Sequence, residues 1–247
     1  MKIYLVKILD IKEITLEMLF LFISKEKEDK IKKFVFKKDK IRSIVSEILI
    51  RSILCHQLNM ENEDIIMIKN KFGKPFIEGH KDFNFNISHS GDWVICVVDD
   101  EPIGIDIQEM IYNNYIGLAQ NFFGFEEIKF ILSENSSECM ERFYRIWTLK
   151  ESYIKAEGRG LSIPLNSFSI IENEFGDIIV STESLVKKYY FKELCVDNKY
   201  KASICSLKPH IPNDIEVISQ VNLINKFLEK LKRDPISNNV ISWINQS

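Results

Sequence analysis

Several features that would assign the chain to a broad class of protein are missing from the sequence. It has no run of about 18 apolar residues, so no segment is predicted to span a membrane. The start, Met1 to Val6, is too soon followed by charge for a secretion signal. The five cysteines include no Cys-x-x-Cys pair, and the four histidines lack the spacing of metalloproteases. We therefore expect a cytoplasmic protein with free thiols, in which any metal is held by oxygen ligands.

A strong net charge is also missing, and this limits the partners. The 247 residues carry a formal net charge of -3, and 45% of them are hydrophobic, as in an ordinary globular protein. The segment 25–42 departs from this balance, with nine Lys or Arg against four Asp or Glu, a local charge of 9 − 4 = +5. It would attract phosphates or an acidic partner, although a solvated helix face is the alternative. Because the rest of the protein is acidic, nucleic acid is not an expected partner. A membrane is not expected either, since no apolar run is long enough to span one.

Hydrophobic periodicity predicts strands and helices in both halves of the chain. The predicted helices are 15–23, 24–34, 38–58, 117–132 and 137–157. The predicted strands are 3–9, 65–69, 83–87, 93–98, 103–107, 168–171, 178–180, 188–194 and 200–205. This content favours an α+β fold with two lobes, 1–103 and 104–219, each a small antiparallel sheet packed with helices. Residues 220–247 are expected to form a helical tail that ends in loose polar chain.

The first candidate site is the strand Gly104-Ile105-Asp106-Ile107-Gln108. Residues two apart in a strand share a face, so Asp106 and Gln108 point the same way, and the isoleucines point the other way. A carboxylate in so apolar a strand is costly to bury unless a cation or several donors meet it. A hard cation such as Mg²⁺ takes oxygen ligands of this kind. The alternative is a strand-end aspartate that is hydrogen-bonded to a nearby loop.

The second candidate site lies on the helix that contains Trp147-Thr148-Leu149-Lys150-Glu151-Ser152-Tyr153-Ile154-Lys155. Glu151 and Lys155 are one turn apart and share a face with Trp147. Lys150 and Lys155 suit a diphosphate, Glu151 suits a metal, and Asp106 could complete the metal site. The alternative is a solvated Glu–Lys pair, which would contribute only about 0.3–0.5 kcal/mol.

The third candidate site is the strand end Asn86-Ile87-Ser88-His89-Ser90-Gly91. Hydroxyls and an imidazole at a tight turn form a reasonable seat for a phosphate. A nucleophilic Ser–His pair is less favoured, because neighbours in a chain rarely point at each other and no Gly-x-Ser-x-Gly elbow occurs. A plain turn with a capping serine is the other alternative.

Taken in order, these segments resemble the Sfp-type 4'-phosphopantetheinyl transferases. The resemblance covers roughly residues 1–218, and three motifs at family-like spacing carry it. They are Phe85–Gly91, Pro102–Ile107, and Trp147–Ser152 with Lys155–Leu161. Two further segments, Lys71–Pro75 and Pro164–Ser169, also match. The resemblance implies a monomer with two pseudo-symmetric lobes and an active site between them, where coenzyme A binds.

The resemblance also implies roles for individual residues. It implies Lys27, Lys30, Arg42 and Ser43 around the nucleotide end of coenzyme A, Lys74 with Pro75 near the adenine, and Ser88 with His89 at the 3'-phosphate. Lys150 and Lys155 would meet the diphosphate, while Asp106, Gln108 and Glu151 would hold Mg²⁺. Glu127 matches a further acidic position near the site.

One position departs from the family pattern. The family usually has a glutamate where this chain has Gln108, and a neutral amide oxygen is a poorer Mg²⁺ ligand than a carboxylate. The metal would then depend more on Asp106, Glu151, water and the diphosphate, or bind more weakly.

The expected reaction moves the phosphopantetheine arm of coenzyme A to a serine of an apo acyl, peptidyl or polyketide carrier protein and releases 3',5'-ADP. The carrier serine would attack the β-phosphorus, with Glu151, or a water that it orients, as the base and Lys155 stabilising the leaving group. One alternative is a homologue that binds coenzyme A without catalysis, which only Gln108 favours. Another is a coenzyme A-dependent acyltransferase, for which His89 is the only candidate base.

Overall fold

The protein is described by a computed structural model that covers residues 1–133, 138–182 and 187–231. The chain divides into two compact units. The first consists of Met1–Tyr4 and Met67–Glu216, and the second of Leu5–Ile66 and the described residues from Val217 onward. The boundary between the units falls within the first and the last strand. Compactness and pseudo-symmetry are different properties, so the lobes at 1–103 and 104–219 stay a prediction.

Strands and helices occur in the following order and bounds. The strands are β1 (Lys2–Lys7), β2 (Met67–Lys69), β3 (Pro75–Ile77), β4 (Asn84–Ser90), β5 (Trp93–Asp99), β6 (Ile103–Glu109), β7 (Ser169–Glu172), β8 (Ile178–Ser181), β9 (Tyr190–Glu193), β10 (Tyr200–Ser206) and β11 (Ile215–Ser219). The helices are α1 (Glu13–Phe20), α2 (Lys25–Lys32), α3 (Lys37–Gln57), α4 (Tyr115–Phe122), α5 (Phe125–Leu132), α6 (Cys139–Glu157) and α7 (Gln220–Leu231).

The described strands form small sheets. Their strand orders are β11-β1-β5-β4, β6-β10-β9, β2-β3 and β7-β8. The pairs β4/β5, β6/β10, β9/β10, β2/β3 and β7/β8 are antiparallel. This confirms the predicted α+β fold with small antiparallel sheets.

The core of the first unit forms where α6 packs on β6 and β10. The aromatic side chains of α6 lie close together, with the ring centroids of Phe143 and Trp147 5.7 Å apart and those of Phe143 and Phe123 5.4 Å apart. The helix ends after Glu157 because Gly158 adopts the left-handed backbone conformation, with φ of 69°. A residue with a side chain would be strained there, so Gly158 fixes the end of α6.

The second unit is built around α3, most of whose residues are buried, among them Ile41, Ile44 and Ile48. A buried ion pair also lies on this helix, with Arg51 Nε 2.8 Å from Glu47 Oε1. Ser24 caps α2 as expected, since its Oγ accepts a hydrogen bond from the Lys27 backbone. In the described ranges, no helix combines the length and apolarity that crossing a membrane requires.

Several predicted elements differ from the observed ones in extent. The single helix expected over 117–132 is two helices, because the chain breaks at Gly124, whose N–H donates to Glu127 Oε2 at 2.8 Å and begins α5. The strand expected over 3–9 ends at Lys7. The expected helix start at Ser137 and the polar end of the tail, 232–247, lie outside the described residues.

Candidate active site

The carboxylate of Asp106 on β6 is almost fully buried, with 1% of the residue exposed. Its Oδ1 accepts a hydrogen bond from Ser88 Oγ at 2.7 Å and pairs with Lys155 Nζ at 2.6 Å. Its Oδ2 accepts a hydrogen bond from Gln108 Nε2 at 3.3 Å. These donors from β4, α6 and β6 provide the compensation that a buried carboxylate needs.

Helix α6 reaches this carboxylate because Gly104 lets β6 and α6 approach closely. A Cβ at Gly104 would lie 2.0 Å from the Ser152 carbonyl oxygen and 2.4 Å from the Ala156 backbone nitrogen. Both atoms belong to the helix backbone, which cannot move aside as a flexible side chain could. Only glycine fits this position without a backbone shift.

The facing side of α6 presents Lys155 and Glu151 toward Asp106. The Lys155 ammonium donates to Asp106 Oδ1 at 2.6 Å, Ser88 Oγ at 3.1 Å and the Ile105 carbonyl at 3.2 Å. Its side chain is 25% exposed, whereas that of Asp106 is 1% exposed. The geometry therefore holds a cation beside a buried carboxylate at a partly open position.

Glu151 is half-buried, and its carboxylate makes no side-chain hydrogen bond or ion pair in the described ranges. Burial raises the pKa of its carboxyl group, the nearby Asp106 carboxylate raises it further, and Lys155 lowers it. The Glu151 and Asp106 carboxylates thus lie within range of an electrostatic interaction. The Glu151 carboxylate has acceptor capacity left for a ligand or a proton.

Oxygen atoms from Asp106, Gln108 and Glu151 fit a hard divalent cation in chemistry. In the part of the chain that the structure describes, no three His, Cys, Asp or Glu side chains cluster as a metal site. Beside Asp106, Gln108 contributes an amide and not a carboxylate. Its Nε2 faces Asp106, and a turn of the amide group would present the oxygen instead.

Lys150 is not brought to this site. Its ammonium is fully buried and donates to Glu127 Oε1 at 2.6 Å, Glu127 Oε2 at 2.7 Å and the Phe168 carbonyl at 2.6 Å. Five residues along a helix turn the side chain by about 140°, so Lys150 and Lys155 leave α6 in different directions. The diphosphate contact expected of Lys150 conflicts with this geometry, and Glu127 is its core partner.

Lys74 and Pro75 line a pocket of about 220 Å³ together with residues of β3, β4 and the end of α6. The Lys74 ammonium donates to the carbonyls of Ile103 at 3.1 Å and Lys155 at 2.6 Å. Burial lowers the pKa of Lys74 to about 8. Lys74 thus binds the C-terminal end of α6, where a cation is favourable, and leaves its stem and Pro75 at the pocket.

Ser88 and His89, both expected at a phosphate, point to opposite sides of β4, as neighbours in a strand do. Ser88 is buried against Asp106, while His89 is exposed. The structure therefore does not bring their two side chains together on one face.

The remaining predicted residues lie in the second unit, on α2 and α3. Lys27 Nζ lies 3.5 Å from Glu47 Oε2, and Lys30 is exposed. Arg42 pairs with Asp39, and Ser43 is buried. Their role at the nucleotide end of coenzyme A stays a prediction.

Sequence reasoning missed the roles of Asn86 and Ser90. Asn86 Oδ1 accepts from the Ile105 N–H at 2.8 Å, and Ser90 Oγ accepts from the Glu109 N–H at 2.9 Å. The signal in the sequence is the polar alternation Asn-x-Ser-x-Ser within a strand. Such alternation predicts a polar face, but not that another strand backbone is its partner.

Comparisons with known proteins agree along the chain. The family model described as 4'-phosphopantetheinyl transferase, N-terminal, matches residues 12–101, and that of the 4'-phosphopantetheinyl transferase superfamily matches residues 102–205. The chain is 38% identical over 203 residues to the 4'-phosphopantetheinyl transferase Sfp of Bacillus subtilis (strain 168). This match covers 82% of this chain and 90% of the relative. It is also 38% identical over 208 residues to the 4'-phosphopantetheinyl transferase gsp of Aneurinibacillus migulanus, a match that covers 84% of this chain and 86% of the relative.

A solved structure is similar over a smaller part. The holo-(acyl-carrier-protein) synthase of Bacillus anthracis str. Ames, in complex with CoA, covers 42% of this chain and 92% of its own at 20% identity, with a TM-score of 0.37.

Proposed function

The chain belongs to the 4'-phosphopantetheinyl transferase superfamily, and on this premise we propose that it moves the 4'-phosphopantetheine arm of coenzyme A to a serine of an apo carrier protein. The reaction depends on Mg²⁺ and releases 3',5'-ADP. Because the acceptor serine belongs to the carrier, the chain needs no nucleophile of its own. It needs groups that bind a diphosphate and a group that accepts a proton.

The observation that carries this proposal is the pair of Asp106 on β6 with Lys155 on α6, whose side chain is 25% exposed. Glu151 lies one helical turn before Lys155, and its carboxyl group interacts electrostatically with both partners of the pair. A diphosphate with its divalent cation has the complementary charges. Asp106, Gln108 and Glu151 would hold Mg²⁺, which supplies neutralisation of the charge that develops on the diphosphate.

Glu151 is the proposed base for the carrier serine. Burial and the Asp106 charge raise the pKa of its carboxyl group, so it is a stronger base than an exposed glutamate, and it has acceptor capacity to spare. Lys155 is the proposed donor to the phosphate oxygens of the leaving nucleotide. Its position beside Asp106 keeps the ammonium oriented before the substrate binds.

Coenzyme A would be bound by residues outside this centre. The pocket at Lys74 and Pro75 suits the adenine in size and lining, and the exposed His89 suits the 3'-phosphate. Lys27, Lys30, Arg42 and Ser43 complete the proposed nucleotide contacts.

The direct test incubates the chain with coenzyme A, Mg²⁺ and a panel of apo carriers from fatty-acid, polyketide and nonribosomal peptide synthesis, and then weighs each carrier. We expect a mass gain of one phosphopantetheine. Asp106→Asn and Glu151→Gln should each lower the rate by about 10²-fold or more with unchanged circular dichroism. Glu126→Gln, a change at an exposed carboxylate on α5, is the control and should keep full activity.

Other outcomes would favour the alternatives. Binding of coenzyme A without any carrier mass gain would indicate the non-catalytic homologue. An acyl gain that disappears in His89→Ala would indicate an acyltransferase, whereas a transferase should show only a higher KM for coenzyme A in that variant. Normal turnover in both acidic variants would contradict the proposed centre. We also propose that the chain acts as a monomer, which light scattering during turnover conditions would check.

A further inference from the structure

We propose that Ser88 is a positioning residue that fixes the orientation of the Asp106 carboxylate for divalent cation binding. This inference rests on the proposed function, because it names how that site is held. It gives Ser88 a different role from a phosphate contact.

The backbone of β6 is hydrogen-bonded by side chains as well as by a neighbouring strand. Among the described strands, β6 is an edge strand of its sheet and pairs with β10 alone. An edge strand leaves every second N–H without a strand partner. Side chains of β4 take these N–H groups instead: Asn86 Oδ1 accepts from Ile105 at 2.8 Å, Ser88 Oγ from Ile107 at 3.3 Å and Ser90 Oγ from Glu109 at 2.9 Å. We call Asn86, Ser88 and Ser90 the β4 acceptor row.

The middle member of the β4 acceptor row differs from the other two. Ser88 Oγ also donates to Asp106 Oδ1 at 2.7 Å and accepts from Lys155 Nζ at 3.1 Å. A serine hydroxyl has one donor and two acceptor sites, and these contacts use all three. The Ile107 N–H and the Lys155 ammonium can only donate hydrogen bonds. The hydroxyl proton of Ser88 therefore has to point at Asp106.

The consequence is an asymmetric carboxylate. Oδ1 of Asp106 receives two donors, Ser88 and Lys155, whereas Oδ2 receives only the Gln108 amide. Ser88 therefore holds one oxygen and leaves the other with acceptor capacity. Groups that orient a metal ligand in this way typically affect metal affinity by about 10-fold to 100-fold.

The β4 acceptor row supplies its own control. Ser90 lies two residues after Ser88 on β4, and its Oγ likewise accepts a hydrogen bond from a backbone N–H of β6. In the described structure it makes no hydrogen bond with Asp106. Ser88→Ala removes a backbone acceptor together with the contacts to Asp106 and Lys155, while Ser90→Ala removes only a backbone acceptor. Any difference between the two variants therefore comes from the contacts of Ser88 with the Asp106–Lys155 pair.

The experiment measures Mn²⁺ binding by electron paramagnetic resonance, 3',5'-ADP binding without divalent metal by calorimetry, and thermal melting of the full chain. We expect Ser88→Ala to raise the Mn²⁺ dissociation constant by about 10-fold or more and to leave 3',5'-ADP binding unchanged. Ser90→Ala should lower the melting temperature by about as much as Ser88→Ala does, and it should leave Mn²⁺ binding unchanged. Ser88→Thr, which keeps the hydroxyl, should restore most of the Mn²⁺ affinity.

Three results would overturn the inference: equal Mn²⁺ affinity in Ser88→Ala and Ser90→Ala, loss of 3',5'-ADP binding alone in Ser88→Ala, or no Mn²⁺ binding by the unchanged chain. The proposed function is judged separately by carrier mass. Transfer without a Mn²⁺ effect of Ser88→Ala would refute the positioning role alone. A Mn²⁺ effect without transfer to any carrier would refute the proposed reaction alone.

Discussion

Lys150 and Lys155 leave α6 in different directions, and each meets a buried carboxylate at 2.6 Å. On the core face, the side chain of Lys150 is 0% exposed, and its partner Glu127 is 1% exposed. On the other face, the side chain of Lys155 is 25% exposed, while its partner Asp106 is 1% exposed. The two pairs thus have the same residue chemistry and the same length but a different access to ligands.

The difference lies in how completely each network is closed. Glu127 also accepts from the N–H groups of Gly124 at 2.8 Å and Ile170 at 2.7 Å, so its oxygens are fully used. On the other face, Asp106 Oδ2 has one amide donor, and the Glu151 carboxylate has no hydrogen-bond donor in the described structure. A closed network has a role in stability, and an open one has capacity for a substrate.

The largest expected effect comes from opening the closed network. Lys150→Met leaves Glu127 buried without its cation, and breaking a buried pair in this way costs about 3–5 kcal/mol. Burial lowers the pKa of Lys150, and the pair with Glu127 opposes that shift, so each partner depends on the other. Urea unfolding would measure the loss.

Adding Glu127→Gln to Lys150→Met tests whether the two residues act as a pair. The combined loss should be smaller than the sum of the single losses by about 0.5–3 kcal/mol. Strict additivity would show that Lys150 and Glu127 contribute independently.

The second effect concerns the open face and is catalytic. Lys155→Met should lower the rate of carrier modification by about 10²–10³-fold, because an oriented donor to the developing charge is lost. Lys201→Met is a matched control, since the Lys201 side chain is 26% exposed and pairs with Glu141 at 2.5 Å. Carrier mass against time is the measurement. Equal rates in the two variants would make Lys155 an ordinary surface ion pair.

The fold and part of the site could be predicted from the sequence. Alternation in β6 predicts that Asp106 and Gln108 share a face, and helical spacing predicts that Glu151 and Lys155 do. The same helical spacing places Lys150 and Lys155 on different sides of α6. The sequence motif nevertheless assigns both lysines to the diphosphate, and the geometry of Lys150 conflicts with that assignment.

The contacts that could not be predicted depend on tertiary approach. Gly104 brings β6 against α6, and Ser88 reaches across from another sheet. No periodicity within one element contains the distance between two elements. For this reason the pair Lys150–Glu127, which joins α6 to α5, was equally invisible.

The smallest expected effect is a gain in stability from Glu151→Gln. Burial and the Asp106 charge raise the pKa of Glu151, so the folded chain holds this proton to a higher pH than the unfolded chain, whose value is 4.5. Stability from this group is therefore present at low pH and is lost as the pH rises from the unfolded value through the raised one. A neutral amide avoids the loss, so the variant should be more stable near neutral pH by about 0.5–2 kcal/mol. Urea unfolding in the presence of a chelator measures the free energy of unfolding of the variant and of the unchanged chain. The difference between the two should vanish at pH ~4 and grow as the pH rises to ~8. For Glu126→Gln, the corresponding difference should not change with pH. A difference that shrinks with rising pH would mean that Glu151 has a cationic partner in the free protein, and the open face of α6 would then be closed as well.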